Sequence, residues 1–180
     1  MGFSETLYAS EKDTWQTPRA LFDHLDSVYQ FHLDAAAARD SARCPLWIGP
    51  DHPDPGRRDA FTLPWAVAAR DALAPGERPR VFLNPPYGLQ VTGPWLALAV
   101  RQARAGCFVC VLTLSRTDTR WWHSAVDHHA GALHFVEGRV RFEDPGTGMA
   151  LHACPAPSVV IVLDGEAHRF ARATPLLLDW

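Results

Sequence analysis

The run Cys107 to Leu114 is apolar and β-branched, with a turn signal before it, and such a run reads as a strand buried inside a sheet. The rest of the chain arranges itself around that strand. Thr17-Pro18 opens an amphipathic segment whose apolar residues Leu21, Phe22, Leu25, Val28 and Tyr29 recur at helical spacing. That pattern predicts a helix with Thr17 as N-cap and Pro18 at its first position. Phe31 to Asp34 follows as a short strand ending in a carboxylate, and the turn-rich stretch Pro45 to Arg58 reads as a loop. Further helices are expected over 64–73, 94–105 and 118–126, and further strands over 80–83, 133–137, 140–142 and 158–163, with Gly138 as a bend. Strands alternating with helices predict an open, mostly parallel α/β sheet with an antiparallel C-terminal portion.

A chain of 180 residues, 47% hydrophobic, can bury an ordinary α/β core as one domain. No apolar run approaches the roughly twenty residues of a membrane span, and Met1-Gly2-Phe3-Ser4-Glu5 lacks the parts of a signal peptide. A cytoplasmic protein without membrane association is therefore expected. Cys44, Cys107, Cys110 and Cys154 are too few for a disulfide framework. Cys107 and Cys110 have the spacing of a zinc or redox pair, but residues three apart on a strand face opposite sides, so both read as core. His128-His129 reads as a solvated helix end, and no metal site is expected. The net charge of −3 rules out a chain coated in positive charge, so any nucleic-acid contact must be local. Arg101, Arg104, Arg116, Arg120, Arg139 and Arg141 lie within 101–142 against only Asp118, Asp127 and Glu137. That excess is either a face for a polyanion or a set of solvated helix faces.

Asn84-Pro85-Pro86-Tyr87 follows the predicted strand Arg80 to Leu83, at the end of a strand where open α/β sheets place their ligands. An exocyclic amine attacks a methyl sulfonium only when its lone pair is drawn out of the ring. An asparagine amide oxygen and a rigidly held main-chain carbonyl can both accept from such an NH2 group, and proline, with its fixed φ, suits the second role. Tyr87 can stack on an extruded base, a contact worth roughly 1–3 kcal/mol. Read as structure alone, the tetrapeptide is a rigid turn.

With its flanking segments, the tetrapeptide resembles the phage-type (Dam-like) DNA adenine-N6 methyltransferases, which use S-adenosyl-L-methionine (AdoMet). The resemblance runs from about residue 14 to about residue 163. It rests on Trp15-Gln16-Thr17-Pro18 with Leu21-Phe22, on Phe31-His32-Leu33-Asp34-Ala35-Ala36, on Asp59-Ala60-Phe61 with Trp65, and on Val81 through Gly88. Ser115 through Thr119 with Trp121-Trp122, and Gly138-Arg139-Val140-Arg141-Phe142, complete it. It implies residues 1–13 as an N-terminal extension and 14–180 as a single Rossmann-like AdoMet-dependent methyltransferase domain, with Asn84, Pro85, Pro86 and Tyr87 catalytic. It further implies that Trp15, Thr17, Pro18, Asp34, Ala35, Asp59 and Asn84 bind the cofactor. Thr17 would meet the amino-acid end of AdoMet, Asp34 its ammonium group and Asp59 its adenine, although Thr17 and Asp34 could equally be caps.

DNA is the implied partner, met by Arg116, Thr117, Arg139, Arg141 and Phe142, with a strand over 140–142 placing both arginines on one face. Trp121 or Trp122 would pack in the core or stack on a base. Ala35-Ala36-Ala37-Ala38 stands where many AdoMet enzymes carry a glycine-rich turn, and alanine does not accept positive φ cheaply. Two alternatives stay open: a methyltransferase for another planar amine or amide, such as an RNA base or a protein glutamine, or a catalytically degenerate DNA-binding scaffold. The short chain leaves little room for a separate recognition domain, so short or relaxed sequence specificity is expected.

Overall fold

In the computed structural model, which describes residues 15–88, 90–165 and 172–176, the strand Phe108–Leu114 (β4) lies at the centre of a sheet. Around it stand β1 (Leu33–Asp34), β2 (Leu46–Trp47), β3 (Arg80–Leu83), β5 (Ala132–Val136), β6 (Ser158–Leu163) and β7 (Arg172–Leu176). Their order is β2-β1-β3-β4-β6-β5-β7. Only β6 runs against its neighbours among the described strands, so the sheet is open and mostly parallel, with its antiparallel pairings in the C-terminal half. The expected extension at residues 1–13 lies outside the described residues.

The alternation of side chains along each strand divides the core into two layers. Leu33, Val81, Leu83, Val109, Val111, Val159 and Ile161 face one way, against Trp65 of α2 (Trp65–Ala68), Trp95 and Leu96 of α3 (Thr92–Arg104) and Trp122 of α4 (Arg120–Ala125). Phe82, Cys110, Leu112 and Val160 face the other way, against Leu21, Phe22 and Leu25 of α1 (Arg19–Tyr29). Cys107 and Cys110 accordingly fall in different layers, both fully buried, and burial pushes the Cys107 thiol up to about 11. Among the described residues no cluster of His, Cys, Asp and Glu could hold a metal, and no helix is long and apolar enough to cross a membrane.

Several expectations change. Helix α1 begins at Arg19 with Pro18 as its N-cap, so Thr17 is not the cap; the Arg19 N–H instead donates to Glu143 Oε1 at 3.0 Å. Val28 is 63% exposed and stands outside the core, because its position on the helix turns away from the sheet. The segment expected as the loop Pro45 to Arg58 contains β2 and a 3-10 turn at Pro55–Arg57. A two-residue strand beside prolines leaves no periodicity to read. No strand forms over 140–142, where Cys154 N–H donates to the Val140 carbonyl and Leu151 N–H to that of Phe142. Strand β7, not foreseen, pairs among the described strands only with β5, and an edge strand tolerates Pro175 because its missing N–H costs no ladder bond.

Candidate active site

Strands β1 and β3 pair side by side with Asp34 opposite Phe82, and their chains leave the sheet in different directions, β1 toward β2 and β3 toward α3. This is a topological switch point, and the crevice at the strand ends is where an α/β sheet binds ligands. Asn84 emerges there, one residue beyond β3. Its Nδ2 donates to the Trp15 carbonyl at 3.3 Å and to Thr17 Oγ1 at 3.1 Å, while its Oδ1 accepts from the Tyr87 hydroxyl at 2.6 Å. Both amide hydrogens are therefore engaged, and the oxygen has a fixed direction with a second lone pair beyond the one Tyr87 uses.

The rest of the turn is held by α3. Thr92, buried at the start of that helix, accepts from the Gly88 N–H at 3.2 Å and donates to the Pro86 carbonyl at 3.4 Å. Trp15, Tyr87 and Phe142 form an aromatic group beside it. Trp15 stacks on Phe142 (5.3 Å between centroids, 25° between planes), and Tyr87 meets both rings edge-on at 5.8 Å. In front of them lies a cleft of about 260 Å³ lined by Trp15, Tyr87, Thr92, Leu114, Arg116 and Trp121, among others. It is mostly aromatic and apolar, with one guanidinium at the wall.

Asp34 is only 3% exposed. Its carboxylate accepts from the Ala36 N–H at 3.4 Å and the Arg43 N–H at 3.1 Å, so it caps the loop that follows β1. Burial still pushes its pKa up to about 6, against the pull of those two N–H groups and the Arg43 charge. Ala35 is buried and donates to the Phe82 carbonyl at 3.0 Å. Ala35 through Ala38 contain no positive φ, so the alanines carry no left-handed strain. The loop's backbone packs closely on Gly49, where a Cβ would stand 1.7 Å from the Ala37 carbonyl oxygen.

Trp15, Thr17 and Asn84 are thus brought together, with Asp34 at the end of the adjoining strand and Ala35 just beyond it. Of the residues expected to be catalytic or to bind the cofactor, Trp15 and Tyr87 line the cleft, whereas Thr17, Pro18, Asp34, Ala35, Asp59, Asn84, Pro85 and Pro86 do not; Asp59 Oδ1 accepts from the Phe61 N–H at 2.8 Å in a turn of its own. Arg116 lines the cleft and pairs loosely with Asp118 at 3.4 Å, and Thr117 is exposed beside it. Arg139 and Arg141 are exposed and Val140 and Phe142 buried, so the alternation survives without a strand. Phe142, 1% exposed, backs Trp15 and Tyr87 and presents no face to a nucleic acid, which corrects its expected role. Of the two tryptophans, Trp122 is core and Trp121 lines the cleft.

Sequence reasoning missed Arg43, Glu143 and Thr92. Arg43 and Glu143 meet at 2.5 Å with side chains 8% and 21% exposed, and Arg43 Nε donates to the Thr17 carbonyl at 2.7 Å. Nothing local marks such a pair. Thr92 had a weak signal, a hydroxyl shortly before a helical pattern, which was hidden by starting that helix at Pro94.

A mostly parallel sheet with a switch-point crevice, an Asn-Pro-Pro-Tyr turn at its edge and a buried acid on the next strand defines a Rossmann-like methyltransferase. The model of the DNA N-6-adenine-methyltransferase (Dam) family matches residues 4–172, and the chain belongs to that family. A comparison with curated proteins gives no match.

Proposed function

We propose that the chain transfers a methyl group from AdoMet to the N6 amino group of an adenine in DNA, with the base turned out of the helix into the cleft bounded by Trp15, Tyr87 and Trp121. The observation that carries this reading is the fixed amide of Asn84. Two hydrogen bonds on its nitrogen direct its oxygen to the hydroxyl of Tyr87, and Tyr87 in turn lines the cleft. A cleft of about 260 Å³ has room for one planar base.

The cofactor's donor set is consistent with AdoMet. Asp34 is a buried acid whose pKa burial raises, and an ammonium group beside it would favour its charged form. Trp15, Thr17, Pro18 and Ala35 are assigned to the cofactor with it, Trp15 and Thr17 being held to Asn84 by hydrogen bonds, and when bound, AdoMet supplies an electrophilic methyl group. Asn84 Oδ1 accepts one hydrogen of the adenine amine. Thr92 holds the Pro86 carbonyl, so the Pro85 carbonyl is assigned as the second acceptor. Two acceptors draw the amine hydrogens out of the ring plane and localise the nitrogen lone pair. No strong base is required, because a methylated amine of this kind sheds its proton readily. Tyr87 and Trp121 hold the ring, and Arg116, Thr117, Arg139 and Arg141 neutralise phosphates around the cleft.

The test is Asn84→Ala. Methyl transfer to DNA should fall by at least a hundredfold. Calorimetric AdoMet affinity should fall no more than about tenfold, since Gln16 still pairs with Glu143 and keeps the Trp15 to Pro18 segment in place. Retained transfer would remove Asn84 from the chemistry.

A further inference from the structure

The segment that aims Asn84 is itself held from behind. Gln16 exchanges both main-chain hydrogen bonds with Glu143, at 3.0 and 2.9 Å. Glu143 Oε1 accepts from the first N–H of α1, and its Oε2 meets the Arg43 guanidinium at 2.5 Å. That guanidinium also donates to the Thr17 carbonyl, and the Arg43 main-chain N–H donates to Asp34. One ion pair thereby joins the segment before α1, the loop after β1 and the segment after β5. An ion pair this buried adds little net stability, because the desolvation of two charges offsets their attraction. What it supplies is direction.

An asparagine amide rotates through a broad, nearly two-fold torsion, so its oxygen and nitrogen are exchanged unless their partners differ. The Trp15 carbonyl can only accept, and the Thr17 hydroxyl accepts here, so together they select the orientation with the nitrogen inward and the oxygen toward Tyr87. The reverse orientation would set NH2 against the hydrogens of a substrate amine. We infer that the Arg43–Glu143 ion pair positions Asn84 by fixing Thr17 and Trp15, and that it acts on the methyl-transfer step without touching substrate. The inference rests on the role proposed for Asn84.

The experiment uses the full chain with Glu143→Gln, Thr17→Val, Thr17→Ser and the double variant Glu143→Gln/Thr17→Val. The readouts are kcat and KM for DNA, the melting temperature, and the solvent-exchange rate of the Asn84 side-chain amide by NMR. Glu143→Gln keeps an oxygen for the Arg19 N–H but loses the charge, and kcat should fall about tenfold with KM for DNA within twofold of wild type. Thr17→Val should lower kcat at least as far, and Thr17→Ser, which restores the hydroxyl, should recover most of it. If Glu143 acts through Thr17, the double variant loses no more kcat than Thr17→Val alone. Multiplied losses, or a loss that follows melting temperature across the variants, would overturn the inference and leave a structural ion pair only. Should wild type transfer no methyl group to adenine, the proposed function fails, and the NMR arm still judges the positioning. The Asn84 amide should exchange slowly in wild type and at least tenfold faster in Glu143→Gln and Thr17→Val, and equal rates would refute it.

Discussion

Asp34 is ionised at neutral pH only against the resistance of its surroundings, which raise its pKa from 3.8 to about 6. The sign follows from linkage. The unfolded carboxyl loses its proton near pH 4 and the folded one near 6, so the folded state without cofactor is favoured below pH 4 and loses that advantage as pH climbs to about 6. The loss is on the order of 3 kcal/mol. An ammonium group beside Asp34 reverses the balance, so AdoMet should bind more weakly as pH drops below about 6, and calorimetry across pH 5–8 should show it. A flat profile would separate Asp34 from the cofactor. Asn84 makes a second prediction at this scale. Aspartate has no hydrogen for the Trp15 carbonyl at neutral pH, so Asn84→Asp should lower kcat at least tenfold at pH 8 although the side chains match in shape. The residues of the motif were legible because their chemistry is local: an amide, two prolines and a ring in sequence. Arg43 and Glu143 were not, since each is defined by a partner about a hundred positions away, and Phe142 was misread because its arginine neighbours suggested a surface that its own burial denies.

At the level of elements, the site is a strand, a turn and a helix in succession: β3 delivers Asn84, the two prolines set the bend, and Thr92 at the head of α3 ties it shut. Thr92→Val removes an acceptor for Gly88 and a donor for Pro86. It should cost roughly 1–3 kcal/mol in unfolding free energy and lower kcat, as urea denaturation and initial rates would measure. Gly49 is a second constraint, on the loop that follows β1. Gly49→Ala forces a Cβ into the Ala37 carbonyl and should destabilise the fold by about 3 kcal/mol or more, read as a drop in melting temperature. Strands β3, β4 and β6 could be read from sequence because they are continuous apolar runs buried on both faces. Strands β2 and β7 could not: the first is two residues long among prolines, and the second contains a proline that only its edge position excuses. The sheet order was likewise hidden, since it depends on which strands pair across long connections.

Across the whole molecule the net charge is −3, yet Arg116 lines the cleft, Arg139 and Arg141 are exposed, and acidic residues dominate the first third of the chain. Binding to DNA should therefore weaken steeply with salt, and removing Arg139 or Arg141 should lower the slope of log K against log salt by about one each without changing the base that is modified. Fluorescence titrations at several salt concentrations measure it; unchanged slopes would move the DNA path elsewhere. The central claim is that the Asn84 to Tyr87 turn directs a methyl group to the adenine amine. The most direct measurement is to incubate the protein with labelled AdoMet and DNA, digest the product and identify the labelled nucleoside. The account predicts N6-methyldeoxyadenosine from the wild type and none from Asn84→Ala, whereas label on another base, or undiminished label with Asn84→Ala, would contradict it.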